Sequence, residues 1–185
     1  MKKGQKIIKD PDKKDLDINS KFDQKIKELE EILPKVNPFD VGCAEITLTS
    51  ILDILGLHNG IFNNLMIPLS GGLAAYKSEN GWSGPCGVIC GGCAAIGVII
   101  GGKEKMPRDL VQLAIIKGQQ LPTAFEREFG SVVCTELCGY DFSDADVYLD
   151  YIKNNIWAKK CYKYALWVID TVRDITQEEL ENNWE

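Results

Sequence analysis

Histidine is the scarcest chemically active residue in this sequence. His58 is the only one among 185 residues, which excludes bis-histidine haem ligation within one chain and leaves no Ser–His–Asp or Cys–His–Asn triad to assign. Because His58 precedes the turn pair Asn59-Gly60, we predict that it lies at the surface. No phosphate-binding loop and no glycine motif of a dinucleotide-binding fold is found either. The sequence therefore lacks the signatures of triad hydrolases and of nucleotide-binding enzymes.

Positive charge is also scarce, except at the N-terminus. The chain carries a net charge of −6, so nothing indicates binding to nucleic acid. Residues 1–14 hold six lysines and two aspartates, a charge of +4, and the remainder therefore carries −10. We predict a flexible basic arm over residues 1–18 and a single helical, cysteine-rich redox domain over residues 19–185. The lysines are not followed by the apolar region of a secretory signal, so we expect a cytoplasmic protein.

Long apolar runs are missing with one exception, the stretch from Cys86 to Gly102. It is shorter than the roughly 20 residues of a membrane span, and it is rich in glycine. Its Gly87-x-x-x-Gly91 spacing resembles a contact between membrane helices, but no aromatic belt or basic cluster brackets the stretch. We therefore predict a buried helix of a soluble protein and no membrane span.

Strand alternation between turn signals is not found, whereas helical spacing of apolar residues recurs along the chain. We predict Ser20 and Asp40 as N-caps of the first two helices. Pro85 opens the apolar helix and Pro107 opens the one after it. Pro122 is predicted to interrupt that later helix, because proline cannot donate a backbone hydrogen bond.

The C-terminal part is predicted to hold one long helix and a short terminal one. Ser143 opens a helix whose apolar positions continue to Val172, and Thr176 with Glu179 has the form of a capping box. The fold class predicted from all these elements is all-α. We expect one bundle of six or seven helices around a central apolar helix, residues 86–102, that is rich in glycine and cysteine.

Cysteine, in contrast, is abundant. An odd number of cysteines without an export signal argues against a disulfide framework. In a cytosolic protein so many thiols indicate a metal, a cluster or redox chemistry, although a free cysteine also serves as a small buried hydrophobe. The seven are Cys43, Cys86, Cys90, Cys93, Cys134, Cys138 and Cys161.

The cysteines fall on four separate segments. Three lie on one face of the apolar helix, two share a face of another helix, and two lie alone on further helices, so that four segments can aim sulfur at one place. Cys90 and Cys93 form a CxxC pair. On a continuous helix both side chains point outward and roughly parallel, which suits two metal ligands better than the two halves of a disulfide. Because Ala94 rather than histidine follows, covalent c-type haem is excluded. Structural zinc sites usually pair two such motifs, and only one is present.

Four segments that contain these cysteines occur in the order of a family pattern. Over about residues 37–172 the chain resembles the redox-active protein family named for its C, GCAxxG, C, C motif. The segments are Asn37-Pro-Phe-Asp-Val-Gly-Cys-Ala-Glu-Ile-Thr-Leu48, Cys86-Gly-Val-Ile-Cys-Gly91, Phe129-Gly-Ser-Val-Val-Cys-Thr-Glu-Leu137 and Cys161-Tyr-Lys-Tyr-Ala-Leu-Trp-Val168.

The resemblance implies that Cys43, Cys86, Cys134 and Cys161 are the four family cysteines. Cys93 competes with Cys86 for the motif position, because residues 92–97 spell a literal GCAxxG, but the register of the neighbouring glycines favours Cys86. The family is typical of anaerobic prokaryotes. A similar region occurs in split-Soret cytochromes, which hold an iron–sulfur centre as well as haems, and this chain could keep only the former.

Three functions remain open at this point. The first is an iron–sulfur protein, with a 2Fe–2S or 4Fe–4S cluster on the four family cysteines and no haem, that transfers electrons to an unidentified redox partner protein or senses redox state. The second is a metal-free thiol–disulfide or peroxide-handling enzyme built on Cys90 and Cys93. The third is a protein that holds Cu(I) or Zn(II) on all seven cysteines, or a helical scaffold with buried thiols.

The predicted long helix that begins at Ser143 is rich in large aromatic residues. In addition, glycines of the apolar helix would let another helix approach closely. Because so many aromatics exceed what one core face requires, we predict a homodimer with the cluster near the subunit contact. The aromatics are Tyr148, Tyr151, Trp157, Tyr162, Tyr164 and Trp167.

Overall fold

The computed structural model describes residues 17–142 and 145–184, and these form nine α-helices and no β-strand. The predicted all-α, single-domain class is confirmed. A 3₁₀ turn (Leu33–Lys35) and two π-helical turns (Pro68–Gly72 and Trp157–Cys161) complete the regular structure of this part. The helices are α1 (Ile18–Ile32), α2 (Cys43–Ile54), α3 (Gly60–Ile67), α4 (Gly87–Gly101), α5 (Arg108–Phe129), α6 (Cys134–Cys138), α7 (Ala145–Lys153), α8 (Tyr162–Ile175) and α9 (Gln177–Asn183).

Helix α4 lies at the centre of the bundle, as its composition predicts. It packs against α2, α5 and α8, and its Val88, Ala95 and Ile96 are fully buried. A helix without charged residues needs neighbours around most of its circumference, because every apolar side chain left in water forfeits its burial energy. No helix in the described part of the chain has the length and apolar character that crossing a bilayer requires.

Two glycines on α4 let α2 approach closely. A Cβ atom at Gly91 would lie less than 3.0 Å from the carbonyl oxygen of Ala44, and one at Gly87 would come equally close to the sulfur of Cys43. Any side chain at these positions would force α2 or the sulfur to move, so glycine is required. The helix that these glycines admit belongs to the same chain, and the homodimer stays a prediction.

Two of the aromatic residues that suggested a dimer interface pack against another helix of the same chain. Tyr164 and Trp167 of α8 meet Phe125 and Phe129 of α5 edge to face, with ring centroids between 4.7 and 5.7 Å apart. Aromatic rings favour this arrangement because the positive ring edge faces the negative ring face. These rings therefore join α5 to α8.

Two helices begin at residues other than those predicted. The N-cap of α1 is Asp17, whose carboxylate accepts the backbone amide of Ser20 at 2.8 Å. The aspartate caps better than the predicted serine, because its charge also complements the positive end of the helix dipole. The N-cap of α2 is Gly42 instead of Asp40.

Helix α5 continues through Pro122 instead of breaking there. Proline has no N–H, so the carbonyl of Gly118, four residues earlier, lacks its usual donor within the helix. The Cys93 thiol of α4 donates to that carbonyl, with a sulfur–oxygen distance of 3.5 Å. A tertiary contact thus compensates for the proline, and the prediction from local sequence is wrong here.

The predicted last long helix is divided into α7 and α8, which contributes to the higher helix count. Asn155 has a φ of +51°, a left-handed conformation that ends a helix and that asparagine tolerates better than most residues. Ser143, the predicted start of the helix, lies outside the described residues. So does the predicted basic arm, apart from its last two residues, Asp17 and Ile18, which cap and begin α1.

The capping box predicted at Thr176 and Glu179 is wrong. The Thr176 hydroxyl donates back to the carbonyl of Val172 at 2.7 Å, and the Glu179 carboxylate accepts from Lys117 of α5 at 2.6 Å. A charge-assisted bond between two largely buried partners stabilises the carboxylate more than an exposed amide would. The pair connects α9 to α5.

Candidate functional site

A cavity of about 610 Å³ lies where the starts of α2, α4, α6 and α8 meet. Five of the seven cysteines line it, together with apolar and aromatic residues such as Phe39, Tyr148 and Tyr151. Cys90 and Cys93 are not among the lining residues. The five that line the cavity are Cys43, Cys86, Cys134, Cys138 and Cys161.

Cys43 is the first residue of α2, and the turn before it is firmly held. The Glu45 carboxylate accepts the Gly42 amide at 3.0 Å. The Ser70 hydroxyl, from the π-helical turn at residues 68–72, accepts the Ala44 amide at 3.0 Å and also hydrogen-bonds the Cys43 thiol. Burial raises the pKa of this thiol to about 11, and the bond to Ser70 opposes that rise.

Cys86 and Cys134 are brought together by a short antiparallel pairing of the segments before α4 and α6. The Cys86 amide donates to the carbonyl of Val132 at 2.7 Å, and the Cys134 amide donates to that of Gly84 at 3.2 Å. The pairing forms an isolated β-bridge rather than a strand. Burial raises the pKa of the Cys86 thiol well above its usual value, and the neighbouring Cys43 adds to the rise.

Cys134 and Cys138 lie one turn apart in α6, and their thiols hydrogen-bond each other. This bond, followed by burial, raises the pKa of Cys134, which donates. The same bond lowers the pKa of Cys138, which accepts, to about 7, and the charge of Lys160 contributes a smaller part. Cys138 is therefore the cavity thiol with the largest thiolate fraction at neutral pH.

Cys161 is the last residue of the π-helical turn before α8. Trp157 anchors this turn, because its indole is 2% exposed and donates to the carbonyl of Leu33 at 2.7 Å. The hydroxyl of Tyr151 donates to the sulfur of Cys161 at 3.4 Å. Burial raises the pKa of Cys161 to about 12, and the hydrogen bond from Tyr151 opposes that rise.

The CxxC pair lies apart from these five thiols. The Cys93 thiol donates to the carbonyl of Gly118. Burial raises the pKa of this thiol to about 11. Burial also raises the pKa of Cys90. All seven cysteines are free thiols in this structure. The contact of Cys93 serves the packing of α4 against α5.

Five thiols are the soft metal-binding donors among the residues that line the cavity. Four sulfurs around a zinc ion lie about 3.8 Å apart, given a tetrahedron with Zn–S bonds of about 2.3 Å. Within the described residues, no group of three or more His, Cys, Asp or Glu is arranged to hold a single ion. Thiolates from several rigid segments are what a multi-iron core requires, and the Tyr151 hydroxyl donates to one of the sulfurs. The donor set therefore fits an iron–sulfur cluster.

Three groups that face these sulfurs are missing from the candidate residues chosen from the sequence. They are Ser70, Tyr151 and Lys160, and each reaches its cysteine from another element of the fold. Nothing in a single sequence marks a hydroxyl that contacts a thiol 27 residues earlier, as Ser70 contacts Cys43. The cysteines themselves could be identified from the sequence, because the residue type alone shows that a thiol is present.

Comparison with known proteins supports the resemblance drawn from the four cysteine segments. A family model described as “Putative redox-active protein (C_GCAxxG_C_C)” matches residues 41–175. The match covers most of the chain and includes all seven cysteines. No curated protein and no solved structure matches the chain.

Proposed function

The chain belongs to the C_GCAxxG_C_C family of redox-active proteins, and we propose that it binds an iron–sulfur cluster through Cys43, Cys86, Cys134 and Cys161. The observation that carries the proposal is the presence of four thiols from four distant segments around one cavity. A cluster needs such an arrangement, because its irons are held by thiolates on rigid backbone. When bound, the cluster would supply reversible one-electron transfer, which serves either electron transport or redox sensing.

The chain's own residues prepare this site for a core rich in negative charge. Cys43 and Cys86 lie at the N-terminal ends of α2 and α4, where the helix dipole is positive. In the free protein their thiols are protonated at neutral pH, since burial raises both pKa values. Binding of iron to these thiols therefore releases protons, so that loading becomes more favourable as the pH rises.

The proposal is tested on the full chain purified without oxygen and reconstituted with iron and sulfide. We expect a brown protein with broad visible absorption from sulfur-to-iron charge transfer, and iron and sulfide in comparable amounts. A colourless protein that retains neither element after reconstitution would refute the proposal. Binding of zinc alone, without iron, would favour the soft-metal alternative instead.

Thiol–disulfide exchange is a second candidate function, but at a pair other than the CxxC motif. Cys134 and Cys138 share a hydrogen bond at the cavity wall, whereas Cys93 is engaged with Gly118. The Cys138 thiolate would attack a substrate disulfide and release one substrate thiolate. Cys134, after losing its proton, would attack the Cys138 sulfur and release the second, which leaves a Cys134–Cys138 disulfide and a substrate reduced by two electrons.

This second function predicts reduction of a small aromatic disulfide by the thiol-reduced, metal-free protein. One equivalent should react rapidly in the wild-type protein, and Cys138→Ser should abolish that phase. Cys90→Ser is the matched control, because it removes a thiol that does not line the cavity. An equal loss in both variants, or no rapid phase in the wild type, would count against the function.

The homodimer remains a proposal that the cavity mouth supports. Phe39, Ile67 and Tyr148 line the cavity and are also exposed, Phe39 to 58%. Apolar residues grouped at an opening are often covered by a partner. Light scattering on the anaerobic protein decides the question, since a mass near the 20.6 kDa of one chain would exclude the dimer.

A further inference from the structure

Tyr151 presents a hydroxyl to one of the proposed ligand sulfurs. Tyr151 is 8% exposed and its side chain lines the cavity. The hydroxyl donates to the sulfur of Cys161 at 3.4 Å, within the range of a hydrogen bond to sulfur. The residue lies on α7, one helix before the π-helical turn that carries Cys161.

The ring of Tyr151 is held in place by three other aromatic residues. It packs edge to face on Tyr140 at 5.9 Å and on Phe142 at 5.4 Å, and it stacks on Tyr148 at 6.1 Å with an interplanar angle of 9°. A ring fixed on several sides cannot turn its hydroxyl away from the sulfur without disturbing its neighbours. The hydrogen bond is therefore built into the fold.

A hydrogen bond to a ligand sulfur acts differently on the two oxidation states of an iron–sulfur cluster. Reduction adds negative charge, part of which resides on the sulfurs, so a donor stabilises the reduced state more than the oxidised state. A tyrosine phenol ordinarily has a pKa of about 10 and is protonated at neutral pH. It can thus act as a donor throughout the physiological range.

We propose that Tyr151 is a positioning residue that hydrogen-bonds the Cys161 sulfur and thereby raises the reduction potential of the cluster held by the four cysteines. The inference rests on the proposed iron–sulfur function. It assigns the role to one hydroxyl group and not to the aromatic ring. The step involves no bond cleavage, and the phenol is neither oxidised nor deprotonated.

The test replaces Tyr151 by phenylalanine, which keeps the ring and removes the donor. In a redox titration of the reconstituted protein followed by its visible spectrum, Tyr151→Phe should shift the midpoint potential to a more negative value. Tyr140→Phe is the matched control, because its ring packs on Tyr151 and its side chain does not line the cavity. An unchanged potential in Tyr151→Phe, or an equal shift in both variants, would overturn the inference.

A second measurement separates this inference from the proposed function. In the metal-free protein, the infrared S–H stretching band of Cys161, assigned by its disappearance in Cys161→Ser, should shift in Tyr151→Phe and stay in place in Tyr140→Phe. A band that does not move would overturn the hydrogen bond even if the wild type binds a cluster. A wild type that takes up no iron or sulfide would overturn the effect on potential together with the proposed function.

Discussion

The start and the middle of helix α4 put the same residue type to different uses. Cys86, just before the first turn, opens onto the cavity and lies near Cys43 and Cys134. Cys93, two turns later, donates to the carbonyl that Pro122 leaves without a partner. One thiol belongs to a cluster of thiols, and the other takes the place of a missing backbone donor.

The difference shows that two cysteines close together on one helix do not necessarily belong to the same site. Cys90 and Cys93 are three residues apart, yet they are not among the residues around the cavity, whereas four segments far apart in sequence contribute to it. What decides the chemistry is the neighbouring element, since α5 faces Cys93 and α2 and α6 approach Cys86.

The largest effect is expected from replacing the cavity cysteines by serine. Serine at any of the four proposed ligands should lower the bound iron and sulfide by about tenfold or more, because a hydroxyl is a poor substitute for a thiolate ligand. The measurement is iron and sulfide content after anaerobic reconstitution. The positions are Cys43, Cys86, Cys134 and Cys161.

Cys93→Ser provides the control for that series. The serine hydroxyl can still donate to the Gly118 carbonyl, so the packing of α4 on α5 should survive and cluster content should match the wild type. If Cys93→Ser lost as much iron as Cys86→Ser, the distinction between the start and the middle of α4 would be wrong.

A smaller effect is expected from adding one methyl group to α4. In Gly87→Ala the new Cβ would overlap the sulfur of Cys43, so this sulfur must shift, and the variant should lose cluster content and about 1–3 kcal/mol of stability. Gly97 of the same helix has no atom within 4 Å of such a Cβ.

Gly97→Ala is therefore the matched control, and it should be neutral or stabilising by up to about 1 kcal/mol, since alanine favours helices over glycine. Urea unfolding of the metal-free proteins measures the stability, and iron analysis measures the loading. Equal behaviour of the two variants would show that the close approach of α2 to α4 is not required.

The smallest effect concerns the pH at which individual thiols react. In the metal-free protein, the rate at which iodoacetamide alkylates Cys138 should rise through pH 7 and level off near pH 9, because its pKa is lowered to about 7 and only the thiolate reacts. The rate for Cys93 should still be rising at pH 10, since burial raises its pKa to about 11.

Peptide mass spectrometry resolves the two rates. Cys134→Ala removes the donor to Cys138 and should move the midpoint of its profile upward, toward the ordinary value of about 8.5. A Cys138 profile that already has the ordinary midpoint in the wild type would contradict the hydrogen bond within α6.

Local signals predicted much of the helical framework. Pro85 and Pro107 lie just before the starts of α4 and α5, as predicted. These residues act through their own backbone restrictions, so a single sequence reveals them. The errors at Pro122 and Thr176 arose where a side chain from another helix, or a bond back along the same helix, replaced the expected local partner.

The sequence by itself determined the helical class, the burial of α4 and the positions of the thiols proposed as ligands, because hydrophobic period, glycine content and thiol chemistry are properties of the residues. Only the tertiary structure decided which thiols share a cavity and which hydroxyl reaches a sulfur. Cys86 and Cys93 occupy one helix and are alike in sequence terms. Their pKa values and partners depend on burial and on atoms within a few ångströms, and those atoms come from segments whose positions are set by packing.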